Sequence, residues 1–247
     1  MWLWYGGVSG TYSTLADVLA DSTALSTLMA STDAVDYLVR CTSWVSDITG
    51  NQSAMSYIGL NNYASDTLLA DSTWCTAICN STYFESVLNS KVPIMTSNTT
   101  PSGEAFANAR DSLAYRAFNG DESTSTNAYW YISTSDATLL NSYLGYMFTT
   151  SPKIKMLKFL SKSMTGYVRK SCDFTLQGSN DNNTWTDIGN FTDTGVDTKQ
   201  SFLYASNDIA YKYYKIVVKS ANGNMTYNSS LNMVLVTELQ FYGREDV

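Results

Sequence analysis

A short motif recurs every nine to eleven residues between Ser13 and Asn89, and any fold for this stretch must accommodate that period. Its copies start at Ser13-Thr14, Ser22-Thr23, Ser31-Thr32, Cys41-Thr42, Asn51-Gln52, Asn61-Asn62, Ser72-Thr73 and Ser81-Thr82. Apolar pairs follow, such as Val18-Leu19, Leu28-Met29, Leu38-Val39, Leu68-Leu69 and Val87-Leu88. Ser, Thr and Asn satisfy an orphaned N–H at a helix N-terminus, worth about 1 kcal/mol each. The period therefore predicts a series of capped helices of one to two turns. Thr82 and Glu85 have the spacing of a capping box, with Ser81 competing for the cap. Such helices barely form alone, because nucleation is costly, so they must pack on one another or on another chain. A compact stack and a longer helix broken by caps both fit.

The segment Lys91 to Gly103 ends this pattern. It holds two of the three prolines, and alternating patterns follow it: Leu144–Phe148, Lys155–Leu160, Asp173–Gln177, Tyr211–Val218 and Leu235–Tyr242. Between Asp173 and Gly189 two such runs flank Gly178-Ser179-Asn180-Asp181-Asn182-Asn183, which reads as a β-hairpin with a polar loop. Many short strands in about 150 residues argue for a sandwich. The expected class is α+β by segregation: N-terminal short-helix repeats, then an antiparallel β-sandwich. The boundaries are an aromatic docking segment at 1–12, capped helical repeats at 13–90 and the sandwich at 91–247.

Composition removes several functions. The formal net charge of -7 argues against a phosphate-backbone binder, so no nucleic-acid partner is expected. The chain contains no histidine, which removes the usual general base at neutral pH, imidazole-dependent triads and the common zinc sites. The four cysteines, at 41, 75, 79 and 172, form no Cys-x-x-Cys pair and read as buried thiols rather than a disulfide framework. Met1 to Gly7 is apolar but too short for a signal core, and no run reaches membrane-spanning length, so neither a standard secretion signal nor membrane insertion is expected. Only 15% of residues are charged, so the surface must be rich in Ser, Thr and Asn, as in secreted or particle-borne proteins.

The repeat ladder from Ser13 to Asn89 resembles the short Ser-Thr-Ala-Met repeats that precede the terminal binding domain of bacteriophage tail-fibre and other virion proteins. In the rest of the chain several motifs occur in one order: Ala117-Phe118-Asn119-Gly120-Asp121 leading to Trp130, Leu144-Gly145-Tyr146 with Lys153 to Leu157, Phe174 to Asp181 with Trp185, and Glu238 to Gly243. This set resembles a discoidin, or coagulation-factor C-type, domain, the galactose-binding-like jelly roll that includes many carbohydrate-binding modules. The resemblance implies a binding module with ligands held by loops at one end of the sandwich, and no enzyme. It also implies a structural calcium, with Asn119, Asp121, Thr124 and Glu238 at the matching positions. Asn119 stands where the family has Asp, and a lengthened segment before Trp130 makes Thr126 an alternative to Thr124. Calcium takes six to eight oxygen ligands, which suits these residue types.

For the ligand face the resemblance points to loop aromatics and arginines: Arg110, Tyr115, Arg116, Tyr129, Tyr167 and Arg169. Trp130 and Trp185 read as packing residues. The combined expectation is a bacteriophage virion protein, a fibre, appendage or capsid decoration, localised to the virion. Its head would bind a host-surface or mucus glycan or attach to the particle, with other virion proteins as partners and a homotrimer as the assembly. The alternative is a non-viral bacterial carbohydrate-binding or adhesion protein, or an accessory binding module, extracellular or on the cell surface. A glycosidase using two of Asp111, Asp121, Glu122, Asp136 and Glu238 is the least favoured reading.

Overall fold

The computed structural model describes residues 12, 14–135, 138–204, 206–227 and 230–245, and the chain divides into two compact units, residues 1–89 and residues 90–246. The docking segment expected at 1–12 lies outside the described residues except for Tyr12, whose hydroxyl donates to Asp21 Oδ2 at 2.6 Å.

In the first unit the helices are α1 (Leu15–Leu19), α2 (Ser22–Ala30), α3 (Thr32–Arg40), α4 (Val45–Thr49), α5 (Gln52–Leu60), α6 (Asn62–Ala70) and α7 (Ser72–Asn80). Five of them, α2, α3, α5, α6 and α7, run nine residues. That is about two and a half turns, longer than expected, because the connections take almost nothing. Ser31, Asn61 and Asp71 each end one helix and cap the next, so a single extended residue forms the whole corner. In the two Asp-Ser-Thr runs the cap is the aspartate, one residue before the expected Ser22 and Ser72. Asp21 Oδ1 accepts from the N–H groups of Thr23 and Ala24, and Asp71 Oδ1 from those of Thr73 and Trp74. A carboxylate there also meets the positive end of the helix dipole. The capping box occurs at Thr14 and Asp17, not at Thr82 and Glu85. Ser81 Oγ instead accepts the Tyr83 N–H, and Phe84–Ser86 is a single 3-10 turn.

Burial recurs at the fourth, fifth and eighth positions of most ten-residue units and often at the ninth: Ala64, Leu68 and Leu69 in α6, and Trp74, Cys75, Ile78 and Cys79 in α7. Helices pack on their neighbours and, three along, on the turn above: α2 on α5, α3 on α6, α4 on α7, and α5 against the turn Phe84–Ser86. Three helices thus make one turn of a coil, so the compact stack is the arrangement realised. Two hydrogen bonds repeat at this pitch. Asn51 Nδ2 donates to the Leu19 carbonyl at 3.4 Å, and Ser81 Oγ to the Thr49 carbonyl at 2.6 Å. Gly59 occupies a ninth position that Met29 and Leu69 fill elsewhere, and a Cβ there would overlap the Ser86 carbonyl of the following turn. No helix among the described residues is long and apolar enough to cross a membrane.

The second unit is antiparallel. In chain order its strands are β1 (Asn89–Ser90), β2 (Glu104–Ala107), β3 (Trp130–Ser133), β4 (Tyr143–Met147), β5 (Pro152–Leu160), β6 (Tyr167–Arg169), β7 (Cys172–Ser179), β8 (Thr186–Asp193), β9 (Gln200–Leu203), β10 (Tyr213–Val218), β11 (Met225–Tyr227), β12 (Leu231–Val236) and β13 (Glu238–Glu245). A 3-10 segment, Asp111–Phe118, lies between β2 and β3. One sheet runs β2-β4-β10-β7-β8, a second places β13, β5 and β9 side by side, and a third runs β3-β12-β11-β6. The class is therefore α+β with the two kinds of structure segregated along the chain.

Alternation along the strands builds one core. Leu144 and Tyr146 of β4, Phe174 and Leu176 of β7, and Tyr214, Ile216 and Val218 of β10 meet Ile154, Leu157 and Phe159 of β5 and Leu239 and Phe241 of β13. Trp130, Ile132, Val234 and Val236 of the third sheet join them. Phe174 stacks on Phe191 at 5.0 Å and lies 5.3 Å from Phe159. The expected hairpin is β7-β8, with Asp181 Oδ1 accepting the N–H groups of Asn183 and Thr184 in its loop. The expected strand Leu235–Tyr242 is two strands in different sheets. The break falls at Thr237, where the chain changes partner from β3 to β5: the Thr237 N–H donates to Leu160 O, and its hydroxyl accepts from the Lys162 N–H. All four cysteines are thiols rather than disulfide partners, and burial pushes the Cys172 thiol up to about 12.

Candidate functional site

Four of the residues expected on the ligand face lie around Tyr131. The Arg110 guanidinium sits 4.0 Å from the centre of the Tyr131 ring, and its Nη1 donates to the Tyr131 hydroxyl at 2.6 Å. Tyr129 meets Tyr131 edge to face at 5.8 Å and is buried with Ala128, Met225, Met233 and Leu235 in a small cluster against which Tyr167 also packs. Burial raises the Tyr129 phenol, with Tyr131 and Tyr167 adding to the effect and Arg116 opposing it. Arg116 Nη1 donates to the Thr126 carbonyl at 2.6 Å. The other two lie elsewhere. Tyr115 packs against the main core, and Arg169 is held by Ser161 Oγ, the Val196 carbonyl and the fully buried Asp193. Each of the three arginines is thus engaged by the protein itself.

The loop expected to hold calcium is internally bonded. Asn119 Oδ1 accepts the Asp121 N–H at 2.9 Å, and its Nδ2 donates to the Asn127 carbonyl. Asp121 Oδ1 accepts the Ser123 N–H, and hydrogen bonds from Ser123 hold its carboxyl below the usual range. Thr124 and Thr126 are exposed. Glu238 differs from these residues. It is 3% exposed, its Oε2 is buried without a hydrogen-bond partner, and burial pushes its carboxyl up to about 7 against the pull of Lys199 and the Gly120 N–H. That orphaned oxygen fits a hard cation, whereas Asn119 and Asp121 would share their oxygens with backbone N–H groups. Among the described residues no three His, Cys, Asp or Glu side chains gather as a metal cluster. Of the remaining acids, Asp111 Oδ1 accepts the Ala107 N–H, Glu122 pairs with Lys199 at 2.6 Å, and Asp136 lies outside the described residues.

A different surface gathers aromatic side chains. The face of the five-stranded sheet opposite the core carries Phe106, Tyr143, Tyr213 and Lys215, and Trp185 joins them from the base of the hairpin loop. All five are half-buried. Phe106 is the hub, 6.1 Å from Tyr143 and 6.4 Å from both Trp185 and Tyr213. Strand register builds this arrangement. One row across the sheet reads Phe106, Gly145, Lys215, Gln177 and Asp187. Gly145 is necessary to it, since a Cβ there would fall 2.5 Å from the Phe106 ring, 2.6 Å from the Tyr214 carbonyl and 2.8 Å from Lys215 Cβ. Lys215 Nζ lies 3.7 Å from the centre of the Trp185 ring and 4.5 Å from that of Tyr143, a cation–π arrangement on both. Gln177 Nε2 donates to Asp187 Oδ1 at 2.6 Å along the margin. Chemically, the face offers apolar rings for stacking, one ammonium and a polar rim.

No protein-family model matches the sequence, and no curated protein sequence matches it. Solved structures similar to the chain include the family 32 carbohydrate-binding module of Clostridium perfringens NanJ in complex with galactose, 15% identical over 60% of this chain and 98% of that one, TM-score 0.45. They also include the C-terminal domain of a chitobiase from Bacteroides fragilis, 16% identical over 62% and 100%, TM-score 0.46. A third is a module, CBM32-3, of a family 31 glycoside hydrolase from Clostridium perfringens, 18% identical over 60% and 95%, TM-score 0.46. These belong to the discoidin, galactose-binding-like group that the second half of the chain resembles.

The sequence pattern did not single out the aromatic face. Trp185 reads as a packing residue, yet it lies outside the core and under the Lys215 ammonium. Trp130, read the same way, is buried, with Nε1 donating to the Ala109 carbonyl at 3.1 Å. The available signal was the alternation of Tyr213, Lys215 and Val217 against Tyr214, Ile216 and Val218, which puts a tyrosine on each face of β10.

Proposed function

We propose that residues 90–246 form a glycan-binding head whose ligand surface is the outward aromatic face of the five-stranded sheet. The observation that carries this reading is the gathering of four half-buried rings, Phe106, Tyr143, Trp185 and Tyr213, on the side of the sheet away from the core. Pyranose rings present C–H faces that stack on such rings and hydroxyls that suit a rim such as Gln177 and Asp187. The head binds without turnover. A glycan array tests this: wild type retains at least one glycan, and Trp185→Ala weakens it about tenfold, or roughly 1.4 kcal/mol. Retention unchanged in the variant would remove this face from the reading, and an array without any bound glycan would sink it.

The finer reading is a bacteriophage virion protein in which the helical array carries the head, several copies acting together. It is supported by the capped repeats that precede the head. Weak sites then suffice, since multivalency raises avidity by roughly 10² to 10⁴. Antibody labelling of purified particles tests the location, and label confined to a bacterial surface would favour the adhesion reading. Mass measurement tests the trimer, against which a stable monomer would count. A calcium ion at Glu238, with Asn119, Asp121 and Thr124 or Thr126 of the loop whose Gly120 N–H reaches that carboxyl, belongs to the same proposal. It is supported by the orphaned Oε2.

A further inference from the structure

We propose that the aromatic face selects acidic glycans, chains containing hexuronate residues, and that Lys215 receives the sugar carboxylate. This rests on the reading of that face as a glycan surface and adds the class of sugar.

Lys215 sits mid-sheet, between Gly145 and Gln177 in the cross-strand row. Its ammonium has three N–H donors, and among the described residues it meets two aromatic rings and neither an acceptor nor a carboxylate. The acid closest in register, Asp187, is engaged by the Gln177 amide. Glu104, on the outer strand β2, is exposed and lies in the Met147 row rather than the Gly145 row. The remaining charges along β10 have the same sign as Lys215. Lys212 Nζ lies 5.9 Å from the centre of the Tyr213 ring, and Lys219 follows the strand. Desolvation first, then Lys219, holds the Lys215 ammonium below its usual pKa. In a chain of net charge -7, this strand is therefore a local cationic site without an internal counter-ion.

Hexuronates match this arrangement. Their carboxylate is bonded directly to the ring carbon C5 and lies at the edge of the sugar. A sugar ring stacked on the aromatic cluster then presents the carboxylate sideways, toward an ammonium that lies over the Trp185 and Tyr143 rings. The charge-assisted contact formed is roughly twice as strong as a neutral hydrogen bond. A neutral hexose stacks equally well but leaves the ammonium unmatched. A sulfate ester carries its charge on a longer exocyclic arm, away from the stacked ring.

The test uses the full chain and three probes, oligogalacturonide, oligomannuronide and oligoglucuronide, each titrated beside the same chain with its carboxyls reduced to alcohols. Wild type should bind at least one acid form tenfold or more tighter than its reduced form, with the preference shrinking as salt is raised. Lys215→Met should abolish the preference while leaving the reduced chain bound as before, Lys215→Arg should keep it, and Trp185→Ala should weaken both forms. The proposal is overturned if the reduced chains bind as well as the acids, or if Lys215→Met retains the preference. In either case binding that Trp185→Ala weakens leaves the glycan reading standing. If wild type binds no chain in either form, both fall.

Discussion

In the helical array the residues that decide the structure are neighbours, and in the sandwich they are far apart. A helix in the first unit is capped by a residue three positions away, turned by one extended residue and packed by side chains whose spacing repeats every ten residues. A strand in the second unit finds its partners across long intervals: β10 lies between β4 and β7, and β13 pairs with β5 some eighty residues earlier. The array spreads its stability over many equivalent sites. The sandwich concentrates it in residues that occur once, and so does its candidate ligand surface, which exists only where five strands come into register.

If this contrast is right, the largest single loss lies in the sandwich core. Phe174→Ala removes a ring in contact with both Phe159 and Phe191 and should cost about 3–5 kcal/mol, measured by chemical denaturation followed by near-ultraviolet circular dichroism. A loss below 1 kcal/mol would break the comparison.

Glu238 is next, and its effect depends on pH. Its folded carboxyl titrates at about 7, against 4.5 for an ordinary glutamate, so the folded form holds the proton between those values. The stabilisation is complete below pH 4.5 and falls by up to about 3 kcal/mol as pH rises through 7. Glu238→Gln, which imitates the protonated acid, should flatten the profile and raise the Tm at pH 8. If calcium binds there, adding it at pH 8 should raise the Tm of wild type and leave that of the variant unchanged.

Within the array, Gly59→Ala drives a methyl into the Ser86 backbone and should cost about 1–3 kcal/mol, read from the far-ultraviolet helical signal. The smallest effects distinguish equivalent caps. Asn61→Ala loses one bond, to the Ala64 N–H, and should cost about 1 kcal/mol. Asn51→Ala loses its cap to the Ala54 N–H and its bond to the Leu19 carbonyl of the preceding turn, and should cost more. Equal losses would mean that the bond between turns contributes nothing.

The same contrast explains what could be read before the structure. Periodic caps and apolar pairs are local, so the series of short capped helices was legible, though not its stacking, as was the hairpin at Asp173–Gly189. The cap position was missed by one residue at Asp21 and Asp71, because Asp-Ser-Thr offers three cap-forming residues in succession. The break at Thr237 was hidden inside an alternating run, since a change of partner strand leaves no mark on alternation. Arg110, Tyr129 and Tyr167 were named as ligand-face candidates, but not the contacts of Arg110 and Tyr129 with Tyr131 or the small cluster against which Tyr167 packs. The aromatic face was least legible: Phe106, Tyr143, Trp185 and Lys215 come from four separate segments, and Gly145 leaves the room that Phe106 and Lys215 need.

The bonds from Asn51 to Leu19 and from Ser81 to Thr49 bear on how such an array can change length. Its text repeats every ten residues, but the two bonds and the two tryptophans Trp44 and Trp74 recur every thirty. Duplicating one ten-residue unit would shift every later helix by a third of a turn and place a tryptophan over an alanine column. Duplicating three would add a full storey with each column intact. The structural repeat of this array is thus three helices long, although each helix looks like a complete copy.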